Sequence, residues 1–179
     1  MRDSSVITMP DVPAALRPFF DRLSPAMHAL LRIAAALLFM QHGVQKIFGW
    51  LGGMGAPGQT AELVSLMGVA GMLELFGGFM ILIGLLTRPV ALVLAGQMIA
   101  AYVIAHMPQG GLPVENRGEL ALLYAAVFAF LLGKGAGPLS MDRLIGRSRA
   151  RHQLPATHAW PERERRVSAT PRRSDDVAA

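Results

Sequence analysis

A chain of 179 residues that is 53% hydrophobic and 16% charged has room for one domain and carries less charge than the roughly 25% of an ordinary soluble domain. The absence of Cys excludes disulfides, thiolate catalysis, Cys-ligated zinc or iron–sulfur clusters and covalent c-type haem within this chain. The net charge of +5 does not describe a basic surface suited to nucleic acid: residues 1–25 and 26–133 each balance, and the whole excess lies in 134–179, where Lys134 and nine Arg outnumber the acids.

In chain order, Leu16, Phe19, Phe20 and Leu23 fall at helical spacing and predict an interfacial turn at headgroup depth. Ser24-Pro25 then offers an N-cap and a Pro at the first helical position, which predicts a first apolar span over 26–44. This span starts too late, and too far from a small-residue cleavage pattern, for a removable signal peptide; a signal-anchor is expected instead. The Gly-rich stretch KIFGWLGGMGAPGQT comes next, with Phe48 and Trp50 at interface depth, and reads as a membrane-hugging flexible loop or lid. It lacks the strand–turn–helix context of a phosphate-binding loop.

A second span is expected over 61–86. A third is expected over 89–105, with Pro89 disfavouring helix at Arg88. The fourth is expected over 119–132, opened by a capping box from Asn116 to Glu119 and closed by Gly133. Lengths of this order bracket the roughly 20 residues that cross ~30 Å of hydrocarbon, and inside lipid such spans must be helices. A soluble helical bundle would show a polar face every 3.6 residues, whereas the second span carries only Glu74 between Glu62 and Arg88. Small residues four apart (Ala91 and Ala95; Gly96 and Ala100) predict close helix contacts. Residues 147–179, with eight Arg and few large apolar groups, cannot bury a core and are expected to be disordered, as a solvated topology anchor or a patch for anionic lipid headgroups.

The resulting fold class is all-α: an integral membrane four-helix bundle with cytoplasmic N- and C-termini. The basic C-terminal flank and Arg88 set one side, and the loops 46–60 and 106–118 hold only Lys46 and Arg117 on the other. The domain reading is an N-terminal segment 1–25, a transmembrane domain 26–143 and a basic tail 144–179. In a bacterial cell this places the chain in the inner membrane, with the lipid bilayer as its first partner and no nucleic acid.

Ionisable groups within spans are costly and mark sites. Glu74 lies mid-span; His42 and Lys46 sit four apart on one helix face; His106 ends the third span and Glu119 begins the fourth. Gln41, Gln45 and Gln97 add hydrogen-bonding groups, and Arg32 lies deeper, where pairing with Glu74 across the bundle is one expectation. These residues read either as interhelical packing contacts or as a polar site for a quinone or other small molecule, in which His, Lys and Glu bind ring oxygens and move protons. A haem between His42 and His106 is the lesser alternative, and no metal-ligand spacing is present.

The ordered pieces LLRIAAALLFMQHGVQKIFGW, GMLELFGGFMILIGLLTRP, AAYVIAHMPQGG, NRGELALLYAA and GKGAGPLSMD, spanning about 27–143, resemble the DoxX family of small membrane proteins. The resemblance implies a four-helix bundle in the cytoplasmic membrane, with members described as oxidoreductases or as subunits of membrane redox complexes, some linked to thiosulfate and quinone chemistry and others to thiol-linked stress defence. It matches His42, Lys46, Glu74, His106 and Glu119 to the family's recurrent polar sites, and Gly137, Pro138, Ser140 and Asp142 to its terminal motif. Since this chain has no Cys, any thiol chemistry would belong to a partner. The functional expectation is an oxidoreductase or redox-complex subunit with a quinone site, acting with a redox enzyme or as a homo-oligomer. Against it stand a non-catalytic scaffold or assembly factor and, with no broken helix or inverted repeat evident, a small-solute carrier.

Overall fold

The computed structural model of the protein describes residues 13–152. Among them every regular element is helical: α1 (Arg17–Phe48), α2 (Leu66–Ile83), α3 (Thr87–Gln109), α4 (Glu119–Lys134) and α5 (Met141–His152). Helices α1, α2 and α3, of 32, 18 and 23 residues, are long and apolar enough to cross a membrane; α4 is equally apolar in character but has 16 residues. The compact unit that holds α1 to α4 and the first half of α5 ends at Gly146.

Helix α1 begins well before Ser24. Pro18 occupies its first turn, where the missing N–H costs nothing, and Pro25 lies inside the helix rather than at its start. The apolar spacing of Phe19, Phe20 and Leu23 therefore extends the first span instead of forming a separate turn. Its buried residues Ala29, Arg32, Ala35, Ala36, Phe39 and Gly43 recur at three- and four-residue steps, one stripe facing the core. Gly49, at φ +66°, ends it, donating to Gln45 O.

The Gly-rich loop is a tied structure, not a loose lid. Gln45 Nε2 donates to Gly53 O at 2.8 Å, Met54 N to Gln59 O at 3.0 Å and Ala61 N to Lys46 O at 2.7 Å. Ser65 then caps α2, its Oγ accepting from Gly68 N at 3.1 Å. At its other end Gly84 (φ +67°) closes α2 in a Schellman pattern, with Leu85 N donating to Met80 O at 2.9 Å and Gly84 N to Ile81 O at 3.1 Å.

Two departures from expectation concern helix starts. Arg88 is helical although Pro89 comes next, because Asp142 supplies what the first turn needs: its carboxylate accepts from Leu86 N at 2.7 Å and Thr87 N at 2.9 Å. The capping box at α4 does not form. Asn116 Oδ1 instead accepts from Gly118 N at 2.9 Å, and the helix runs past Gly133 to Lys134 before Gly135 (φ +77°) stops it.

Arg32 corrects a further expectation. It is fully buried, yet it does not meet Glu74. Its guanidinium donates to Ile81 O at 2.7 Å and Leu82 O at 2.5 Å, the last carbonyls of α2, and to Leu139 O at 2.8 Å. A cation at a helix C-terminus complements the carbonyl dipoles there. The GPLSMD segment completes this clasp: Ser140 Oγ donates to Gly137 O at 2.9 Å, and a Cβ on Gly137 would lie 2.8 Å from the His28 ring. That motif is thus a structural fastener between the start of α1, the end of α2 and the start of α3.

The core is drawn from all four long helices, with Ala36 and Phe39 of α1, Ile81 of α2, Ala91, Leu94 and Met98 of α3, and Tyr124, Phe128 and Leu131 of α4. Phe39 packs edge-on to Phe128 with ring centroids 4.8 Å apart. Ala91 and Ala95 are buried as their spacing predicts, but Gly96 and Ala100 are exposed on the opposite face. Helices α1 and α2 approach each other closely elsewhere: a Cβ on Gly43 would stand 2.6 Å from Leu75 N and 2.8 Å from Gly71 O. Residues 147–152 continue α5 and so depart from the expected disorder, Arg and Ala being good helix formers. The remainder of the expected disordered tail, 153–179, and the first twelve residues lie outside the described residues.

Candidate functional site

A cavity of ≈ 280 Å³ opens where α1 and α3 end and α4 begins. Its walls are Phe39, His42 and Lys46 from α1, Glu74 from α2, Met98, Ala101 and His106 from α3, Leu120, Ala121 and Tyr124 from α4, and Arg117 from the loop before α4. Four residues singled out in the sequence, His42, Lys46, Glu74 and His106, thus share one space. Glu119 does not line it; it is exposed at the first turn of α4.

Local helix geometry explains the gathering. Phe39, His42 and Lys46 are three and four apart, hence on one face of α1. In α2 and α3 the regular repeat is broken by π-turns, Leu73–Gly77 and Tyr102–His106. The first contains Glu74; the second ends on His106. From Met98 and Ala101 the next residue on the same face of a regular helix would be Ala105, and the wider turn brings His106 there instead. Both π-turns therefore deliver an ionisable side chain to the cavity.

At its floor Lys46 Nζ donates to Glu74 Oε1 at 2.5 Å. Gln97 Nε2 donates to the same oxygen at 3.3 Å and to Ala70 O at 3.1 Å. Glu74 Oε2 and Gln97 Oε1 are buried with no hydrogen-bond partner among the described residues. Glu74 has a side chain only 3% exposed, so that free oxygen is an acceptor shut away from bulk water. Above the pair, His42 meets the Tyr124 ring edge-to-face at 6.1 Å.

His106 is fixed differently. Its Nδ1 lies 3.0 Å from Asn116 O, and since a carbonyl can only accept, Nδ1 carries the proton and Nε2 is left for another contact. Asn116, 1% exposed, anchors the loop through Nδ2 to Gly110 O at 2.9 Å as well. Gly118 admits no side chain, because a Cβ would stand 2.6 Å from the Tyr102 ring. Between these fixed points Arg117 takes a left-handed backbone, φ 58°.

Chemically the cavity offers cationic and neutral donors (Lys46, Arg117, Tyr124), a buried acceptor (Glu74) and two imidazoles, against apolar walls. Among the described residues no three His, Asp or Glu side chains are grouped as metal ligands. Arg117 and Tyr124 do not stand out as site residues in the sequence: Arg117 reads as a loop charge, and Tyr124 as one more aromatic residue in an apolar span.

The DoxX family model matches residues 27–107, from α1 to α3 and including His42, Lys46, Glu74 and His106. A protein of Haemophilus influenzae described as uncharacterized is 36% identical over 129 residues, covering 68% of this chain and 92% of its own. An uncharacterized membrane protein of Mycobacterium tuberculosis is 29% identical over 161 residues, covering 76% and 94%. No solved structure matches the chain. With its ordered motifs, apolar helices and near full-length relatives in agreement, the chain belongs to the DoxX family of membrane proteins.

Proposed function

We propose that the protein is an inner-membrane subunit of a redox complex and that its cavity takes the head group of a quinone. Helices α1 to α4 cross the bilayer as a four-helix bundle with both termini in the cytoplasm, a reading supported by the Arg-rich flank after α4 and by Arg88 at the α2–α3 turn. The clasp of Arg32 and Asp142 then lies at the cytoplasmic end, and the cavity in the outer half.

The observation that carries the reading is the shared space itself: hydrogen-bond donors and a buried carboxylate gathered against Phe39, Met98 and Leu120. Its ≈ 280 Å³ lies near the low end of the roughly 300–1,000 Å³ of ligand pockets, which suits one or two fused rings rather than a porphyrin. Lys46 or Tyr124 would donate to a quinone carbonyl oxygen, while His106, its proton held on Nδ1, offers Nε2 as an acceptor to a quinol hydroxyl. His42 and Glu74 are the groups placed to exchange the protons that accompany reduction. The two electrons come from a partner enzyme, because this chain has no Cys to carry them.

The competing reading, a scaffold without a ligand, draws support from the Lys46–Glu74 pair, which also ties α1 to α2. Titrating purified protein in detergent with a short-chain ubiquinone separates the two. Wild type is expected to bind, and Glu74→Gln and His42→Ala to bind at least about tenfold more weakly, the loss typical of one charge-assisted hydrogen bond. Absence of binding, or identical binding in all three, would leave the scaffold.

A further inference from the structure

Counting charge around the cavity gives an unexpected balance. Lys46 and Glu74 neutralise each other across 2.5 Å. Arg117, an exposed residue at the mouth of the same space, has no hydrogen-bond or ion-pair partner among the described residues, although Glu115 and Glu119 flank it in sequence. Glu115 is engaged otherwise, its Oε2 accepting from Leu112 N at 3.3 Å. The cavity therefore keeps one uncompensated cation.

That cation is held at some cost. A non-Gly residue in the left-handed region is disfavoured by the clash of its Cβ with the backbone, and the surroundings enforce it. Asn116, buried, is bonded on three sides by Gly110, Gly118 and His106, while Gly118 is pressed against Tyr102. The loop is thus locked on both sides of Arg117, and one of the locks is His106, another wall of the cavity. An unpaired guanidinium on a braced left-handed backbone, beside a space already lined with donors, is arranged to receive negative charge.

Resting on the quinone reading, we propose that Arg117 is the residue that sets ligand specificity, and that the cavity prefers a ring ligand bearing an anionic oxygen (a hydroxyquinone anion or the monoanion of a quinol) over its neutral counterpart. Lys46 and Tyr124 are placed to donate to the ring oxygens at the inner side, and Arg117 pairs with the charged oxygen at the mouth.

The test compares three probes on the purified full chain: 2-hydroxy-1,4-naphthoquinone, which is ionised at neutral pH; its neutral 2-methoxy analogue; and benzoate, a ring anion that is no quinone. Wild type is expected to bind the hydroxy compound about tenfold or more tighter than the methoxy compound. In Arg117→Gln that preference disappears, the loss falling mainly on the hydroxy compound, and Arg117→Lys restores part of it. Equal wild-type affinity for both quinones, or equal loss of both in Arg117→Gln, overturns the inference and leaves the quinone reading standing. Arg117-dependent binding of benzoate with no binding of either quinone overturns the quinone reading and upholds the role of Arg117. If none of the three binds, both fall.

Discussion

Glu74 illustrates how a single side chain can serve two ends. One carboxylate oxygen receives Lys46 and Gln97; the other is buried and unsatisfied. Leaving a buried polar group without its partner costs about 1–3 kcal/mol. Lys46→Met and Glu74→Gln are therefore each expected to lower stability by about that amount, measured by thermal unfolding in detergent. The double variant is expected to lose at least about 0.5 kcal/mol less than the two losses summed, the coupling of residues in contact. Strict additivity would show that the contact contributes nothing. His42, Lys46, Glu74 and His106 were legible in the sequence because ionisable groups stand out in apolar helices. The ion pair of Lys46 was not: the sequence grouped Glu74 with the His42 and Lys46 face but offered Arg32, at a different depth, as the residue to pair with it. Nor was Arg117, whose significance depends on a backbone conformation that Asn116 and Gly118 impose from either side.

Among the elements, α1 and α2 meet backbone to backbone at Gly43, one turn before Lys46. Gly43→Ala would drive a Cβ against the backbone at Leu75 and Gly71 and is expected to cost about 1–3 kcal/mol, as overpacking does. Gly96→Ala, on a helix face with open space, is expected to be neutral or to gain up to about 1 kcal/mol from helix propensity. Unfolding midpoints of the pair check this, and equal effects would refute the packing argument. The number and order of apolar helices were legible from hydropathy. Their ends were not, because the groups that set them come from far along the chain: Asp142 starts α3, and Arg32 receives the end of α2. The small-residue spacing identified one true face of α3, Ala91 and Ala95, and one false one, since a four-residue repeat specifies a face without saying what that face meets.

At the scale of the whole molecule the two ends of the helices differ in kind. One is fastened by Arg32, Asp142 and the Gly137–Ser140 segment; the other encloses the cavity. The absence of Cys allows their placement in the bilayer to be read directly with single introduced thiols. Leu112→Cys is expected to react with a membrane-impermeant maleimide in spheroplasts, and Ser168→Cys only after permeabilisation; the reverse pattern would invert the proposed topology. The cavity's own orientation depends on something hydropathy does not register. A π-turn accommodates one residue more than a regular turn. Loss of a single residue between Leu73 and Gly77 would let α2 close as a continuous α-helix and rotate its N-terminal half by about 100° against its C-terminal half. Relatives with such a deletion would keep the composition, the spans and nearly all the aligned residues, yet Gly71 and Gly78, on either side of the turn, could no longer both face α1. The residue count of the two π-turns thus decides which side chains line the cavity of this chain, and percentage identity scarcely weighs a single residue lost there.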